Sequence, residues 1–199
     1  MARPVRYDRE EILDKAMQTF WEQGYCATSM AKLVETTDLK PGSLYAAFES
    51  KQGLFLATLD HYGALSAEKL RAHLGEAESP LEAIESYFDR LADDIDKRRG
   101  QTSCFLVNTV LELSQRDAQI RKRINRHFAR IETAFVDALT NACENGELDS
   151  DTDCTALAAF LMNNIWGLRV LAGTKPAPGR ARQVVRLVKQ ALSASRSVV

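Results

Sequence analysis

An all-α fold is predicted for this chain of 199 residues from the helical spacing of its apolar residues, from several helix-start signals and from the lack of convincing strand alternation. Between Ile12 and Phe20 the apolar residues follow each other at steps of one and three positions, and Gly24 then ends this first helix. In the stretch SPLE, Ser79 is a capping residue, Pro80 suits the first helical turn, and a glutamate lies three positions after the serine.

Three further helices are predicted close behind the first, each placed by a capping or turn residue. Thr28 is predicted to cap the second helix, Asp38 marks the turn before the third, and Ser50 is predicted to cap the fourth. Later helices are predicted from Ser79, from about Cys104, from about Asp117 to residues 144–146, from about Thr155 to Ala172, and from Arg180 to Ser195.

Composition favours a water-soluble chain. The hydrophobic content is 45%, the charged content is 27%, and no apolar run is judged long enough to span a membrane. The N-terminus is charged and lacks the apolar core of a signal peptide, so we expect a cytoplasmic protein without a membrane partner. The net charge of -1 gives no sign of non-specific binding to nucleic acid.

The cysteines and histidines do not form a recognisable chemical site. Cys26, Cys104, Cys143 and Cys154 include no C-x-x-C pair, and the three histidines lie apart from them, so neither a metal nor a cofactor is expected. Cytoplasmic thiols are normally reduced. Since no nucleophile with a base and no phosphate-binding loop is found, an enzyme is the less favoured class.

The second and third predicted helices, joined by a tight turn around TTDL, have the layout of a helix-turn-helix. In this motif the second helix enters the major groove and leads with its N-terminal residues. Lys40 and Ser43 would reach phosphates or base edges, and the hydroxyl of Tyr45 would reach a phosphate. Gly42 would let the backbone approach DNA closely, whereas Leu44 would anchor the helix to the core.

From Ile12 to Phe55, through TSMAKLVETTDLKPGSLYAAFESKQGLF, the chain resembles the TetR family of transcriptional regulators. The resemblance implies a three-helix DNA-binding domain over residues 1–60 and a helical effector-binding and dimerisation domain over residues 61–199. It implies a homodimer on palindromic operator DNA, usually a repressor, with a small-molecule effector. The DNA-contacting positions it implies are Thr28, Ser29, Lys40, Pro41, Gly42, Ser43, Tyr45 and Lys51.

The charge of the predicted DNA-binding domain is unusual for its function. Residues 1–60 carry seven cations and nine acids, so this domain would depend on a few placed donors rather than on a positive field. Arg3 and Arg6, ahead of the first helix, are predicted to add backbone or minor-groove contacts.

Cys104 lies at the predicted start of a helix, in TSCFLVNTVLEL. Thiols at helix N-termini are ordinarily more acidic and more reactive. The family that the chain resembles includes regulators that sense electrophiles or oxidants through such a cysteine. The alternative is a buried and inert thiol. Phe88, Phe105, Met162 and Trp166 are further candidates for an effector pocket, with ordinary core packing as the alternative.

The last two helices match the dimerisation elements of the family. The residues expected to fill a four-helix bundle with a second copy are Leu157, Leu161, Leu168, Val184, Leu187, Val188 and Leu192, with an internal core contact as the alternative.

We therefore expect a repressor released by a small apolar or electrophilic molecule. Its two recognition helices would enter successive major grooves about 34–36 Å apart, and the effector would shift them out of register. One alternative is a thiol sensor acting through Cys104. A more distant one is a helical interaction module that does not bind DNA.

Overall fold

The computed structural model describes residues 8–97 and 104–195, and within these ranges it contains helices and no strand. The predicted all-α fold is therefore confirmed. In chain order the helices are α1 (Arg9–Gln23), α2 (Met30–Thr37), α3 (Pro41–Phe48), α4 (Lys51–Gly75), α5 (Pro80–Asp96), α6 (Phe105–Leu113), α7 (Ala118–Glu144), α8 (Cys154–Gly173) and α9 (Arg180–Ala194).

The chain divides into two compact units. As far as the structure describes them, unit 1 comprises residues 8–65 with 108–127, and unit 2 comprises residues 66–97, 104–107 and 128–195. The division predicted at residue 60 assigned the segment 108–127 to the C-terminal domain, whereas it packs in unit 1. Sequence spacing could not show this, because the contacts that hold the segment join residues far apart in the chain.

The ends of α1 and α2 are set by short-range hydrogen bonds. Asp8 caps α1 by accepting from the backbone N–H of Glu10 at 2.9 Å. Ser29, and not Thr28 as predicted, caps α2, because its hydroxyl accepts from the N–H of Lys32 at 3.1 Å. The Thr28 hydroxyl instead donates to the Gly24 carbonyl at 2.7 Å, and Thr28 is only 1% exposed. Thr28 therefore faces the protein interior, and the next residue, Ser29, caps the helix.

The turns on either side of α3 need unusual backbone. Asp38 adopts the left-handed conformation (φ 56°, ψ 23°) at the end of α2, which aspartate tolerates better than most residues. After α3, the Ser50 hydroxyl accepts from the N–H of Gly53 at 3.0 Å, as predicted for a cap of α4. A Cβ atom at Gly53 would lie 2.1 Å from the Phe48 carbonyl oxygen, so only glycine fits this corner.

A core of large side chains holds α1 to α4 together in unit 1. Phe20 meets Phe55 edge to face at 4.9 Å between ring centroids, and Tyr25 lies 4.7 Å from Phe55. Leu33 of α2 and Leu44 of α3 are fully buried beside them. The short helices α2 and α3 are stabilised mainly by this packing, since isolated helices of such length are unstable in water.

Asp60 of α4 joins the later segment 108–127 to the rest of unit 1. Its carboxylate accepts from His127 Nε2 at 2.8 Å, from Arg126 Nη2 at 2.6 Å and from the Arg123 guanidinium. Burial by itself would raise the pKa of Asp60, but the His127 hydrogen bond and the two guanidinium charges outweigh burial and lower it. A Cβ atom at Gly63 would overlap the His127 ring, so α4 and α7 approach closely here.

Unit 2 is built around a core drawn from α5, α7, α8 and α9, in which Phe88, Phe135 and Leu161 are fully buried. Ser79 caps α5 as predicted, accepting from the N–H of Glu82 at 3.0 Å. The Ser79 hydroxyl also donates to the Glu147 carboxylate at 2.6 Å, which ties the start of α5 to the loop after α7.

One helix differs from an expectation based on the sequence. No apolar run was predicted to be long enough to span a membrane, but α8 is long and apolar enough to do so by length and composition alone. Ala158, Leu161, Ile165 and Leu168 of α8 pack into the core of unit 2, and a core helix of a soluble protein passes the same test.

We expect Asp60→Asn to destabilise the protein at neutral pH by about 1–2 kcal/mol, since charged hydrogen bonds are worth roughly 1.5–3 kcal/mol and the carboxylate is partly exposed. Because the folded-state pKa of Asp60 is lowered, its contribution is present above the unfolded value of about 3.9. It is lost as the pH falls through the folded-state value. Urea denaturation of both proteins between pH 7 and pH 3 should therefore show curves that converge in acid.

Asp14→Asn is the matched control, since Asp14 also bonds a histidine, His61, at 2.9 Å but is more exposed than Asp60. It should change the free energy of unfolding by less than about 1 kcal/mol. A difference for Asp60→Asn that persists unchanged to pH 3 would contradict this account.

Candidate nucleic-acid interface

The N-terminal end of α3 is exposed and free of local obstruction. Lys40 precedes the helix in extended conformation, and within the described residues its side chain makes no capping hydrogen bond. Pro41 occupies the first helical position, where its missing N–H costs nothing. A Cβ atom at Gly42 would meet no described residue within 4 Å, so the backbone there is open to a large partner.

The opposite face of α3 fixes the helix to unit 1. Leu44 and Phe48 are buried, and the Arg9 guanidinium lies 4.7 Å from the centroid of the Phe48 ring. Tyr45 lies on the outer face and is 48% exposed, which is high for a tyrosine. The helix therefore presents Ser43 and Tyr45 outward because two apolar anchors hold its other side.

The start of α4 adds a cation beside this surface. Lys51 is the first residue of α4, and its Nζ lies 4.5 Å from the centroid of the Tyr25 ring. This cation–π contact orients a side chain that would otherwise move freely in water. Glu49, between α3 and α4, is exposed and has a positive φ of 66°. An acid thus stands close to the basic residue.

Of the predicted DNA-contacting residues that the structure describes, all but one are exposed or half-buried, and together they are called the reading surface. Thr28 is buried and its hydroxyl donates to the Gly24 carbonyl, so its side chain cannot reach a phosphate. Arg3 and Arg6 lie outside the described residues. The reading surface is formed by the remaining predicted residues: Ser29, Lys40, Pro41, Gly42, Ser43, Tyr45 and Lys51.

Glu112, which holds the loop between α1 and α2, was not among the predicted functional residues. Its carboxylate accepts from the backbone N–H of Tyr25 at 3.2 Å and from that of Cys26 at 3.0 Å. A Cβ atom at Gly24 would lie in tight contact with Glu112 Oε2, at 3.2 Å, and the φ of 79° at this position favours glycine. Because the partners lie more than eighty positions apart, no local pattern could have identified Glu112.

Asp117 makes a second connection to the reading surface. Its Oδ1 accepts from the N–H groups of Gln119 and Ile120 and so caps α7, while its Oδ2 accepts from Gln52 Nε2 at 2.8 Å. Gln52 directly follows Lys51 in the first turn of α4. The segment 108–127 therefore braces both the α1–α2 loop and the start of α4.

The same segment changes the charge of the DNA-binding part. Residues 108–127 carry five cations and two acids, so the described part of unit 1 has a net charge of -1, whereas its residues 8–65 alone have -4. The segment therefore makes unit 1 less acidic than residues 1–60 are by themselves. Part of this positive charge is neutralised by Asp60.

The predicted effector residues lie in and around the core of unit 2. Phe88, Phe105 and Met162 are buried, which agrees with the alternative of core packing. Trp166 packs on Phe128 at 4.8 Å between ring centroids, and its buried Nε1–H donates to no described residue. An unsatisfied indole N–H facing the protein interior favours Trp166 as a place where a polar group of a ligand would bind.

Cys104 directly precedes α6, as predicted, and is half-buried. Burial raises the pKa of Tyr87, the charge of Arg169 opposes this rise, and the Cys104 sulfur adds to it. Cys104 therefore lies near the half-buried Tyr87, which Arg169 also contacts. Thr102 and Ser103, which precede Cys104 in the sequence, lie outside the described residues.

Four of the predicted dimer residues face their own chain. Leu161, Leu168, Val188 and Leu192 are buried in the core of unit 2, so they belong to the alternative of an internal core contact. Apolar spacing alone could not show which side of the helix faces a partner, because both faces of α8 carry apolar residues. Leu157 and Val184 are half-buried, and Leu187 is 65% exposed. Phe160 and Val170 of α8, which were not predicted, are also exposed.

Comparison with known proteins identifies both parts of the chain. Residues 12–58 match the family described as bacterial regulatory proteins, tetR family. Residues 80–188 match the Tetracyclin repressor-like, C-terminal domain, which by itself covers more than half of the chain.

Whole-chain relatives agree with these matches. The HTH-type transcriptional repressor ComR of Escherichia coli (strain K12) is 37% identical over 171 residues, covering 85% of this chain and 81% of ComR. A cysteine variant of the TetR-family regulator CifR, solved with 26-bp operator DNA, is 29% identical with a TM-score of 0.81, over 96% of this chain and 99% of CifR. Reduced NemR of E. coli shares the fold at 21% identity, with a TM-score of 0.83 over 92% of this chain and 95% of NemR. By its sequence and by its fold, the chain belongs to the TetR family of bacterial transcriptional regulators.

Proposed function

We propose that this regulator represses transcription by binding operator DNA through the reading surface, as a homodimer, and that a small apolar or electrophilic molecule releases it. The exposed N-terminal end of α3 is the observation that carries the proposal. Membership of a family of DNA-binding regulators confirms that the chain is not an enzyme, and it sets aside the interaction module without DNA binding. Since the operator lies on the chromosome, we place the protein in the cytoplasm.

The reading surface suits DNA by chemistry as well as by exposure. Lys40 and Lys51 supply cations for phosphates, and the Tyr45 hydroxyl offers a neutral phosphate contact of the kind that fixes register. Ser43 is short and lies in the first turn of α3, where side chains meet base edges. Gly42 allows the backbone between them to approach the groove. The related CifR variant was solved in complex with 26-bp operator DNA, which supports this assignment.

Members of this family act as dimers, and we assign the dimer contact to the exposed apolar residues of α8 and α9. Phe160 and Val170 are 39% and 45% exposed, and Leu187 of α9 is 65% exposed. Exposed large apolar side chains on two neighbouring helices are typical of a surface that a partner covers. A four-helix bundle made of two such pairs would bury them.

The effector signal would travel along α6. Cys104 directly precedes this helix in unit 2, and Glu112 lies near its other end in unit 1. A helix moves as a rigid element, so an effector that displaces the start of α6 also displaces the Glu112 carboxylate. Glu112 holds the Tyr25 and Cys26 amides, so such a shift would change the α1–α2 loop and the reading surface. The effector acts only through its difference in affinity for the two states.

A thiol sensor remains the second candidate, favoured by the position of Cys104. A half-buried thiol at a helix start, close to Tyr87, is accessible to small electrophiles and connected to α6. Alkylation would add bulk at the start of the same helix. Both candidates therefore use the same route to the DNA.

Gly42→Ala is predicted to weaken operator binding at least tenfold without loss of stability. The new methyl group points into open space in the free protein but would lie between α3 and the DNA. The Ala side chain should even stabilise α3, by about 0.5–1 kcal/mol, because alanine favours a helix more than glycine does. Gel-shift titration on DNA from upstream of the gene, together with thermal denaturation, measures both effects.

Gly75→Ala is the matched control, since Gly75 ends α4 in unit 2 and is equally unobstructed among the described residues. It should leave the operator dissociation constant unchanged. Equal affinities for the Gly42→Ala protein and the wild-type protein would remove α3 from the interface.

Leu187→Glu is predicted to give a monomer of about half the wild-type mass in solution, because a buried charge at a dimer contact is costly. Leu111→Glu is the control, since Leu111 of α6 is 71% exposed and lies outside α8 and α9. Light scattering at micromolar concentration should show a dimer for the wild type and for Leu111→Glu. A dimer for Leu187→Glu as well would contradict the assigned surface.

Cys104→Ser separates reversible ligand binding from thiol modification. It should bind the operator with wild-type affinity, because Cys104 belongs to unit 2 and is not one of the residues of the reading surface. If N-ethylmaleimide releases the wild type but not Cys104→Ser, the sensor is this thiol. Release of both proteins would exclude it. Cys26→Ser is the control for an exposed cysteine beside the DNA-binding surface.

A further inference from the structure

Two of the other cysteines form a pair, far from Cys104 in the sequence. Cys143 is in the last turn of α7, and Cys154 is the first residue of α8. Their Sγ atoms are 3.6 Å apart, and both residues are half-buried free thiols. Two thiols in direct contact are a different chemical feature from a single cysteine, because each can react with an oxidised form of the other.

The loop between the two cysteines is held at several points. The backbone N–H of Asp149 donates to the Ser195 carbonyl at 3.0 Å, and that of Thr152 donates to the Asp149 carbonyl at 3.0 Å. Leu148 is buried in the core, and Asp153 caps α8 through the N–H of Ala156 at 2.9 Å. The fold therefore keeps the two sulfur atoms near each other, rather than leaving their contact to chance motion of a free loop.

The present spacing is close to that of a disulfide. A disulfide bond is about 2.05 Å long, so the two Sγ atoms would have to approach by about 1.5 Å. Rotation of the two side chains, with a small shift at the helix ends, can supply such a movement. Helix termini adjust more easily than helix centres, since their last carbonyls and first N–H groups are not fixed within the helix.

We propose that Cys143 and Cys154 are a peroxide-oxidisable thiol pair, which forms an intramolecular disulfide joining the end of α7 to the start of α8. In the first step the Cys154 thiolate attacks an oxygen of hydrogen peroxide. The S–O bond forms, the O–O bond breaks, and the departing hydroxide takes a proton to become water. In the second step the Cys143 thiolate attacks the sulfenic sulfur, the S–S bond forms, and the S–O bond breaks to release hydroxide, which takes a proton from solvent to become a second water.

The environment of the two thiols supports this order of attack. Burial, together with the hydrogen bond and the charge of Cys154, raises the pKa of Cys143. A thiol that holds its proton more tightly is a poorer first nucleophile, so Cys143 is the residue that resolves the sulfenic acid. Since the thiolate is the reactive form, disulfide formation should become faster as the pH rises from 7 to 9.

Protein mass spectrometry can test the pair directly on the full chain. No lysine or arginine lies between Arg130 and Arg169, so trypsin leaves both cysteines in one peptide, residues 131–169. After peroxide and iodoacetamide, we expect this peptide to lose both alkylation sites together and to be two hydrogens lighter. Further cleavage after Glu144 and Glu147 should leave the two fragments joined until a reductant is added.

Variants identify the role of each thiol. Cys143→Ser should stop at a sulfenic acid on Cys154, which dimedone traps, whereas the Cys26→Ser, Cys104→Ser double variant should still form the link. The oxidised wild type should unfold at a higher temperature than the reduced protein, because the new bond restricts the unfolded chain. Cys154→Ser should show no such rise.

Three results would overturn the proposal. One is full alkylation of Cys143 and Cys154 at a peroxide dose that oxidises the exposed Cys26. The second is a link from either residue to Cys26 or Cys104, or to a second chain, in place of the internal link. The third is a dimedone adduct on wild-type Cys154 that persists without a disulfide. Because the peptide map of the wild type decides among these, the test does not depend on the folding of any variant.

Discussion

The carboxylate of Glu112 accepts two backbone N–H groups of the α1–α2 loop, and the geometry of the reading surface depends on this interaction. Backbone amides in a turn need a partner, and here the partner comes from a helix much later in the chain. With Asp117 on Gln52 and Asp60 on His127, it attaches residues 108–127 to α1–α4 by charge-assisted hydrogen bonds. The DNA-binding part is thus completed by residues outside its own sequence segment.

This attachment has consequences for charge and for signalling. It adds five cations and two acids to unit 1, which offsets most of the acidity of residues 8–65 and favours approach to phosphates. In the sequence, Cys104 directly precedes α6 and Glu112 lies within that helix. This is the basis of the route proposed for the effector signal.

The four cysteines fall into three environments. Cys26 is exposed beside the reading surface, Cys104 precedes α6, and Cys143 and Cys154 touch each other where α7 and α8 meet. Spacing in the sequence separated Cys104 from the others by its place at a helix start. Contact between Cys143 and Cys154 depends on how the loop after α7 folds back, through the Asp149–Ser195 hydrogen bond and the buried Leu148.

The sequence by itself determined the all-α class, the helix-turn-helix, and the outward residues Lys40, Gly42 and Tyr45, because these depend on local spacing and on capping within a few residues. The prediction from sequence placed the cap of α2 one residue too early. Thr28 and Ser29 both carry a hydroxyl that can cap a helix, and only the path of the chain decides which of them does so. Only the tertiary structure decided that Leu161 and Leu192 are core and that Glu112 serves the DNA-binding part. Each of these depends on contacts between distant residues, which no local pattern encodes.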